Sequence, residues 1–194
     1  MNYPGLKKEY HKFTTFANRG MNLESLINQA NEYYLLYDIA LIYKKPTPIG
    51  IKKTNYKNGT LEGYFKEQST LDYNGIYKGH YVDFDAKETT SKTSFPLSNL
   101  HEHQYKHIKS VIRHGGISFL IIYINDEIYL LDGELIISFI ENNDRKSIPY
   151  DYIKNNGIKI ELKVNPVLDY IKALDKLIKE KNIWKRLKKV VLKI

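Results

Sequence analysis

The residues with the clearest potential for chemistry are the acids and the lysine between Ser69 and Thr89. From Tyr81 onward the side chains alternate, and in a β-strand alternate residues point to opposite faces. One face would therefore carry Asp83, Asp85 and Lys87. The other face would carry the apolar set Val82, Phe84 and Ala86.

A turn at Lys78-Gly79 would bring a second acid to the same place. If a two-residue turn forms there, continuing the strand pairing places Asp72 opposite Asp85. Facing residues have Cβ atoms about 5 Å apart, and two carboxylates at that distance repel unless a cation lies between them. Oxygen ligands suit Mg²⁺ or Mn²⁺, and Lys87 could offset charge that develops on a phosphate. The pattern indicates a metal-dependent phosphodiesterase centre.

Two other interpretations of this segment are open. A solvent-facing strand with cross-strand acid–lysine pairs would show the same alternation. A turn at Asn74-Gly75, which is also a favourable hairpin dipeptide, would separate Asp72 from Asp85. The position of the turn therefore decides whether the two acids meet.

Composition narrows the class of partner. The 194 residues carry a net charge of +8, with a pI near 9.3, which favours nucleic acid before a membrane surface. Cysteine is absent, which excludes disulfides and thiolate zinc sites and fits a reducing cytosol. No apolar run approaches the roughly 20 residues that span a bilayer. We expect a cytoplasmic protein without a membrane partner.

Hydrophobic spacing predicts the elements that position the acids. A first helix is expected over about 22–36, with Glu24 in its first turn, where the helix dipole alone favours an acid. The run 117–124 is typical of a buried central strand. A helical stripe from Leu97 to Val111 places Gln104 in the inward-facing row. Asn165-Pro166 is expected to begin the last helix.

A basic hairpin is predicted at 49–66, turning over 55–59. Its lysines and aromatic residues are interleaved, and they are Lys52, Lys53, Tyr56, Lys57, Tyr64, Phe65 and Lys66. Basic residues mixed with aromatic ones suit unstacked or single-stranded nucleic acid. An ordinary solvated hairpin fits the same residues equally well.

We expect one domain over 1–194, because no linker or internal repeat interrupts the chain. Residues 1–16 show little apolar periodicity and are expected to form a mobile basic arm. Residues 180–194 are expected to extend the last helix as a basic segment.

A series of short motifs runs along the chain in a fixed order. They are Ala-Asn-Arg-Gly-Met-Asn-Leu-Glu (17–24), Lys-Lys-Pro-Thr-Pro (44–48), Tyr-Phe-Lys (64–66), Asp-Tyr-Asn-Gly-Ile-Tyr-Lys-Gly (72–79), Asp-Phe-Asp-Ala-Lys-Glu-Thr (83–89), Lys-Thr-Ser-Phe-Pro-Leu (92–97) and His-Gln (103–104). Together they resemble the RecU family of Holliday-junction resolvases over roughly residues 15–178. The resemblance implies an α/β, restriction-endonuclease-like fold, in which helices flank a central mixed sheet and a β-hairpin stalk protrudes.

The resemblance also implies an activity and roles for single residues. The family acts as a homodimer that nicks four-way junctions symmetrically with Mg²⁺, and it is linked to the RecA recombinase. Lys87 would stabilise the transition state or orient a water, and Glu24 would be a supporting acid. The implied metal contacts are Thr70, Asp72, Asp85 and Gln104.

The implied DNA contacts lie in other segments. The stalk corresponds to 49–66, with Phe65 near its base, while Arg19 and Lys44 lie in segments that engage the junction or RecA. Two features depart from the family pattern: Asp85 stands where a Glu is usual, and the stalk is short, with Asn58-Gly59 where more basic character is expected.

Three functions follow as alternatives. The first is a Mg²⁺-dependent endonuclease, with Mn²⁺ as a substitute, that resolves Holliday junctions in recombination and repair. The second is a nuclease for another branched DNA. The third is a non-catalytic junction-binding or RecA-modulating protein, against which the intact set of Asp72, Asp85 and Lys87 argues.

Overall fold

The computed structural model describes residues 22–65 and 70–191, with side chains for all of these except Phe65 and 183–191. The arm expected at 1–16, Arg19 and Lys66 lie outside the described residues. The helices are α1 (Leu23–Leu36), α2 (Glu102–Arg113), α3 (Gly133–Asn142), α4 (Tyr150–Asn156) and α5 (Tyr170–Val191). The strands are β1 (Leu41–Lys44), β2 (Ile49–Asn55), β3 (Thr60–Phe65), β4 (Tyr73–Tyr77), β5 (His80–Glu88), β6 (Ser94–Pro96), β7 (Ile117–Ile124), β8 (Glu127–Asp132), β9 (Ser147–Pro149) and β10 (Ile158–Ile160).

The central sheet has the strand order β1-β4-β5-β7-β8-β10. β5 and β7 are parallel, and the other neighbouring pairs are antiparallel. The sheet is therefore mixed, and helices cover both of its faces, as predicted. β7 is buried along almost its whole length because both faces are covered, which explains its uninterrupted run of apolar residues.

The two faces of the sheet bury different clusters. α1 and α5 cover the face that carries Phe84 and Phe119, whose stacked rings have centroids 4.6 Å apart. α2 and α3 cover the other face, against Leu120 and Ile122. The alternation predicted along β5 is confirmed: its apolar residues pack toward α1 and α5, and its acids face α2.

The start of α2 differs from the sequence prediction. The helix begins at Glu102, because Leu97–Asn99 form a separate 3₁₀ turn and Leu100 is extended. His101 and Gln104 then cap the helix reciprocally, which satisfies backbone groups at its first turn. The inward position of Gln104 is unaffected, since it lies beyond this boundary.

The start of α5 was also predicted too early. The helix begins at Tyr170, beyond Asn165-Pro166. Before it, the chain folds back on itself: the Lys163 N–H donates to the Val167 carbonyl, and Leu162 pairs with Leu168. None of the described helices is long and apolar enough to cross a bilayer.

β2 and β3 form a two-stranded sheet of their own, inserted in the chain between β1 and β4. Its described side chains are exposed, and Gly50 is buried beneath the ring of Tyr64. A bulge between Ile51 and Lys53 shifts the register, which increases the twist of the strands. The predicted hairpin is confirmed as far as Phe65.

Candidate active site

The turn between β4 and β5 lies at Lys78-Gly79, where φ is 48° and 76°. Two residues with positive φ make the hairpin turn whose twist matches that of the flanking strands. Tyr73 then pairs with Phe84, so the next step along both strands brings Asp72 to Asp85, as predicted. The alternative turn at Asn74-Gly75 is wrong, because both residues lie within β4.

Asp85 is a fully buried carboxylate. Its Oδ2 accepts a hydrogen bond from Gln104 Nε2 at 2.7 Å and lies 2.9 Å from Lys87 Nζ. Its Oδ1 accepts from the Ala86 N–H at 2.9 Å. Burial raises the pKa of Asp85 to about 6; Lys87 opposes this rise and the adjoining Asp72 carboxyl adds to it. Burial therefore penalises the ionised form of Asp85, and a cation bound beside the carboxylate would offset that penalty.

Gln104 of α2 links several of the predicted site residues. The side chain is buried and faces inward, as the helical stripe predicted. Its Nε2 donates to Asp85 and also to the Thr70 carbonyl oxygen at 3.2 Å. Its Oε1 accepts from Lys87 Nζ and from the His101 N–H, each at 3.2 Å. A direct metal contact through Oε1 would have to replace one of these bonds.

A second fully buried acid, Asp83, lies beside this group. The sequence did not predict a role for it. Its Oδ2 accepts hydrogen bonds from Lys45 Nζ at 2.8 Å and from the Tyr81 hydroxyl at 2.6 Å, and it lies 3.3 Å from His107 Nε2. Lys45 Nζ also donates to Thr70 Oγ1 at 3.1 Å. The alternation along β5 predicted that Asp83 shares a face with Asp85. No local sequence pattern predicted that Lys45 and His107 would contact Asp83.

Glu24 and Lys44 form an ion pair at the edge of the site, and both side chains are partly exposed. The pKa of the Tyr73 hydroxyl is raised, mainly by burial and further by the charges of Glu24, Asp72 and Asp85. The charges of the three acids therefore act on one hydroxyl group. Glu24, the supporting acid implied by the resemblance, is close to the site. It is paired with Lys44, which is one of the DNA contacts that the resemblance implies.

The donors around Asp72 and Asp85 suit a hard divalent cation. Across 22–65 and 70–191, no three or more His, Asp or Glu side chains are arranged to hold a metal. Asp72 and Asp85 would be the charged ligands of a cation bound here, and neutral oxygen atoms and water would complete its shell. Mg²⁺ accepts such a set, because it keeps several waters and commonly uses one or two protein carboxylates.

The other predicted DNA contacts lie away from this group. Lys52 and Lys53 are exposed on β2, and Lys57 is exposed in the hairpin turn. The backbone of Phe65 ends β3. The structure brings none of these three lysines into contact with the acids.

Comparisons with known proteins agree with the resemblance. The family model for Recombination protein U (RecU) matches residues 18–176. Proteins called Holliday junction resolvase RecU from Bacillus thuringiensis (strain Al Hakam), Bacillus cereus (strain AH820) and Bacillus anthracis are each 49% identical over 170 residues, which is 83% of this chain and 85% of theirs. A solved Holliday junction resolvase, Hjc from Archaeoglobus fulgidus, is similar at a TM-score of 0.41 and 6% identity, over 69% of this chain and 93% of that one. Similarity at that level does not bear on function.

Proposed function

The chain belongs to the RecU family, and on that premise we propose that it is an endonuclease that resolves Holliday junctions by paired, symmetric nicks. The observation that carries the proposal is the grouping of Asp72, Asp85 and Lys87, with Lys87 Nζ 2.9 Å from the buried Asp85 carboxylate. Two adjoining acids can hold a cation that activates water and polarises the phosphate, and a nearby lysine can stabilise the charge that develops on the phosphate.

The cofactor in this proposal is a divalent cation, specifically Mg²⁺, with Mn²⁺ as a substitute. Asp72 and Asp85 would hold it, and Thr70 and Gln104 are the further contacts that we propose. When bound, the cation would polarise the scissile phosphate and lower the pKa of a bound water. The burial that makes Asp85 hard to ionise supports this assignment, because a cation removes that penalty.

Each remaining site residue has a task that its contacts support. Lys87 stabilises negative charge on the phosphate, because its ammonium is fixed between Asp85 and Gln104. Gln104 orients Asp85 through the 2.7 Å bond from Nε2. Glu24 supplies supporting negative charge near the metal, and Lys44 balances it until DNA phosphates compete for the lysine.

We assign recognition of the four-way junction to the stalk hairpin and the dimer. Lys52, Lys53 and Lys57 are exposed and can follow converging phosphates, and Arg19, Lys44, Phe65 and Lys66 complete the proposed DNA contacts. A two-fold homodimer presents two sites to the two equivalent strands of a junction. Modulation of RecA is a proposed second role, and the cytoplasm is the proposed location.

Cleavage of a synthetic four-way junction tests the proposal. With the full chain and Mg²⁺ we expect nicks at symmetric positions on two opposing strands, which a chelator abolishes. Asp72→Asn is the matched control, because it keeps the side-chain shape and removes the carboxylate. It should lose cleavage and bind the junction at least as tightly, since carboxylate–phosphate repulsion is relieved.

The same assay separates the alternatives. A chain that binds the junction but leaves it intact with Mg²⁺ and with Mn²⁺ would be a non-catalytic binding protein. A chain that cuts flaps or forks and spares four-way junctions would be a nuclease for another branched DNA. Cleavage by Asp72→Asn at the wild-type rate would contradict the site assignment.

A further inference from the structure

Asp83 is an acidic residue in a fully buried position on β5. A buried carboxylate is strongly unfavourable unless charged or hydrogen-bonding groups compensate for lost hydration. Lys45 supplies the compensating cation, with Nζ 2.8 Å from Oδ2 and a side chain that is 19% exposed. The second oxygen, Oδ1, has no hydrogen-bond partner among the described residues. Lys45 is thus the lysine that pairs with this buried carboxyl group.

Lys45 is bonded at the same time to the segment that carries the proposed metal contacts. Its Nζ donates to Thr70 Oγ1 at 3.1 Å, and its backbone N–H donates to the Asp72 carbonyl at 2.7 Å. Lys45 follows β1, and Thr70 and Asp72 precede β4, which pairs with β1. These bonds therefore fasten the ends of two adjacent strands at the edge of the active site.

We propose that Asp83 is a positioning residue, which holds Lys45 so that Thr70 and Asp72 keep their places relative to Asp85. The inference rests on the metal-dependent function proposed above. Asp83 itself bonds to Lys45, Tyr81 and His107, and it acts on the metal through the Thr70–Asp72 segment. Removing a group that orients metal ligands commonly weakens metal binding 10- to 100-fold.

Calorimetric titration of the full chain with Mn²⁺, without DNA, tests the proposal. Asp83→Asn should bind Mn²⁺ at least about tenfold more weakly than the wild type. The Mn²⁺ concentration that gives half-maximal nicking of a junction should rise by the same factor. A residue that only stabilised the fold would lower the melting temperature without this change in affinity.

Asp132→Asn is the matched control. Asp132 is also a buried acid in the central sheet, and its Oδ2 lies 2.7 Å from Lys181 of α5. It pairs with Phe119, whose ring faces α5, so it lies on the sheet face opposite Asp83. Asp132→Asn should lower thermal stability while its Mn²⁺ affinity stays at the wild-type value.

The double variant Asp83→Asn/Lys45→Met guards against misfolding of the single variant, since it removes both partners of the ion pair together. It should fold and also bind Mn²⁺ weakly. A folded Asp83→Asn that binds Mn²⁺ within twofold of the wild type would overturn the proposal, as would failure of both variants to fold. If the wild type binds Mn²⁺ yet leaves junctions intact, the proposed function fails, and the titrations still decide the role of Asp83.

Discussion

Lys87 is the residue of the proposed catalytic centre whose role can be tested most directly. Its ammonium contacts Asp85 and Gln104, and the proposed function assigns it to the negative charge that develops on the phosphate. Lys87→Gln should lower the single-turnover cleavage rate of a bound junction about 10²- to 10³-fold, because a positioned donor for developing charge is lost. Rapid-quench cleavage with saturating protein measures this.

Lys92→Gln is the control for that experiment, because Lys92 is an exposed lysine on the same stretch of chain. Its single-turnover rate should match that of the wild type. If Lys87→Gln cut the junction at the wild-type rate, Lys87 would not stabilise charge in the cleavage step.

The residues of the site differ in how far the sequence could predict them. Asp72, Asp85 and Lys87 follow from local rules, because strand alternation fixes their face and a two-residue turn fixes their register. Lys45 lies 38 residues from Asp83, and their contact depends on the pairing of β1 with β4. No local sequence pattern specifies that pairing. The contacts of Asp83 with its partners could therefore be recognised only from the structure.

Among the elements, the stalk hairpin is the best candidate for junction selectivity. Its sheet is separate from the central sheet, and its described side chains are almost all exposed. Shortening it between Lys53 and Gly59 should reduce the preference for a junction over linear duplex about tenfold or more. The expected cause is loss of phosphate contacts and of base stacking, which contributes roughly 1–3 kcal/mol per base.

Competition between junction and linear duplex at fixed salt measures this preference. Metal binding and the melting temperature of the shortened chain should stay close to wild type, since the hairpin lies outside the core clusters. If the shortened chain kept its full preference for the junction, selectivity would have to come from the proposed dimer arrangement instead of the hairpin.

A second element-scale prediction concerns Glu127, which ties β8 to β10 and α4. Its carboxylate accepts from Lys159 Nζ at 2.5 Å, from the Tyr129 hydroxyl at 2.6 Å and from the Tyr150 hydroxyl. Lys159, followed by the two tyrosines, lowers the pKa of Glu127 to about 2 from an ordinary value of 4.5. The folded state therefore favours the ionised form, and the stabilisation is present above about pH 4.5 and lost as the pH falls toward 2.

Denaturant unfolding of Glu127→Gln and the wild type across this pH range checks the sign. The variant should be less stable at pH 6, and the difference should shrink between pH 4.5 and pH 2. A difference that stayed constant down to pH 2 would show that Glu127 contributes through packing instead of charge.

Helix starts were the least predictable of the elements. Apolar spacing gave the faces of α2 and α5 correctly, because Gln104, Ile108 and Val111 are buried together and α5 packs its apolar stripe on the sheet. The start of α2 is fixed by the reciprocal His101–Gln104 cap, and that of α5 by the Leu162–Leu168 pairing. Periodicity carries no information on either contact.

For the molecule as a whole, the proposed homodimer makes a prediction about the outer edge of the sheet. Leu41 and Ile76 face each other across β1 and β4, and they are 53% and 55% exposed. Paired apolar residues on an edge beside the hairpin are suited to burial against a second copy. Sedimentation at micromolar concentration should give a dimer for the wild type and a shift toward monomer for Leu41→Lys/Ile76→Lys.

Val164→Lys is the control, since Val164 is 78% exposed and is not part of this edge. It should remain dimeric. A wild-type chain that stays monomeric with and without junction DNA would contradict the two-fold arrangement.

The contacts that join the two ends of the hairpin insertion affect how this protein can change in evolution. Lys44 pairs with Tyr73, and Lys45 bonds to Asp72 and Thr70, so the chain leaves and re-enters the core at one fastened point. The length of the excursion then affects folding only through loop closure, at roughly 0.6 kcal/mol for each doubling. We therefore expect this insertion to tolerate changes in length and charge while Asp72 and Asp85 keep their places. If the hairpin reads the junction, a hairpin grafted from a relative should transfer its substrate preference without redesign of the core.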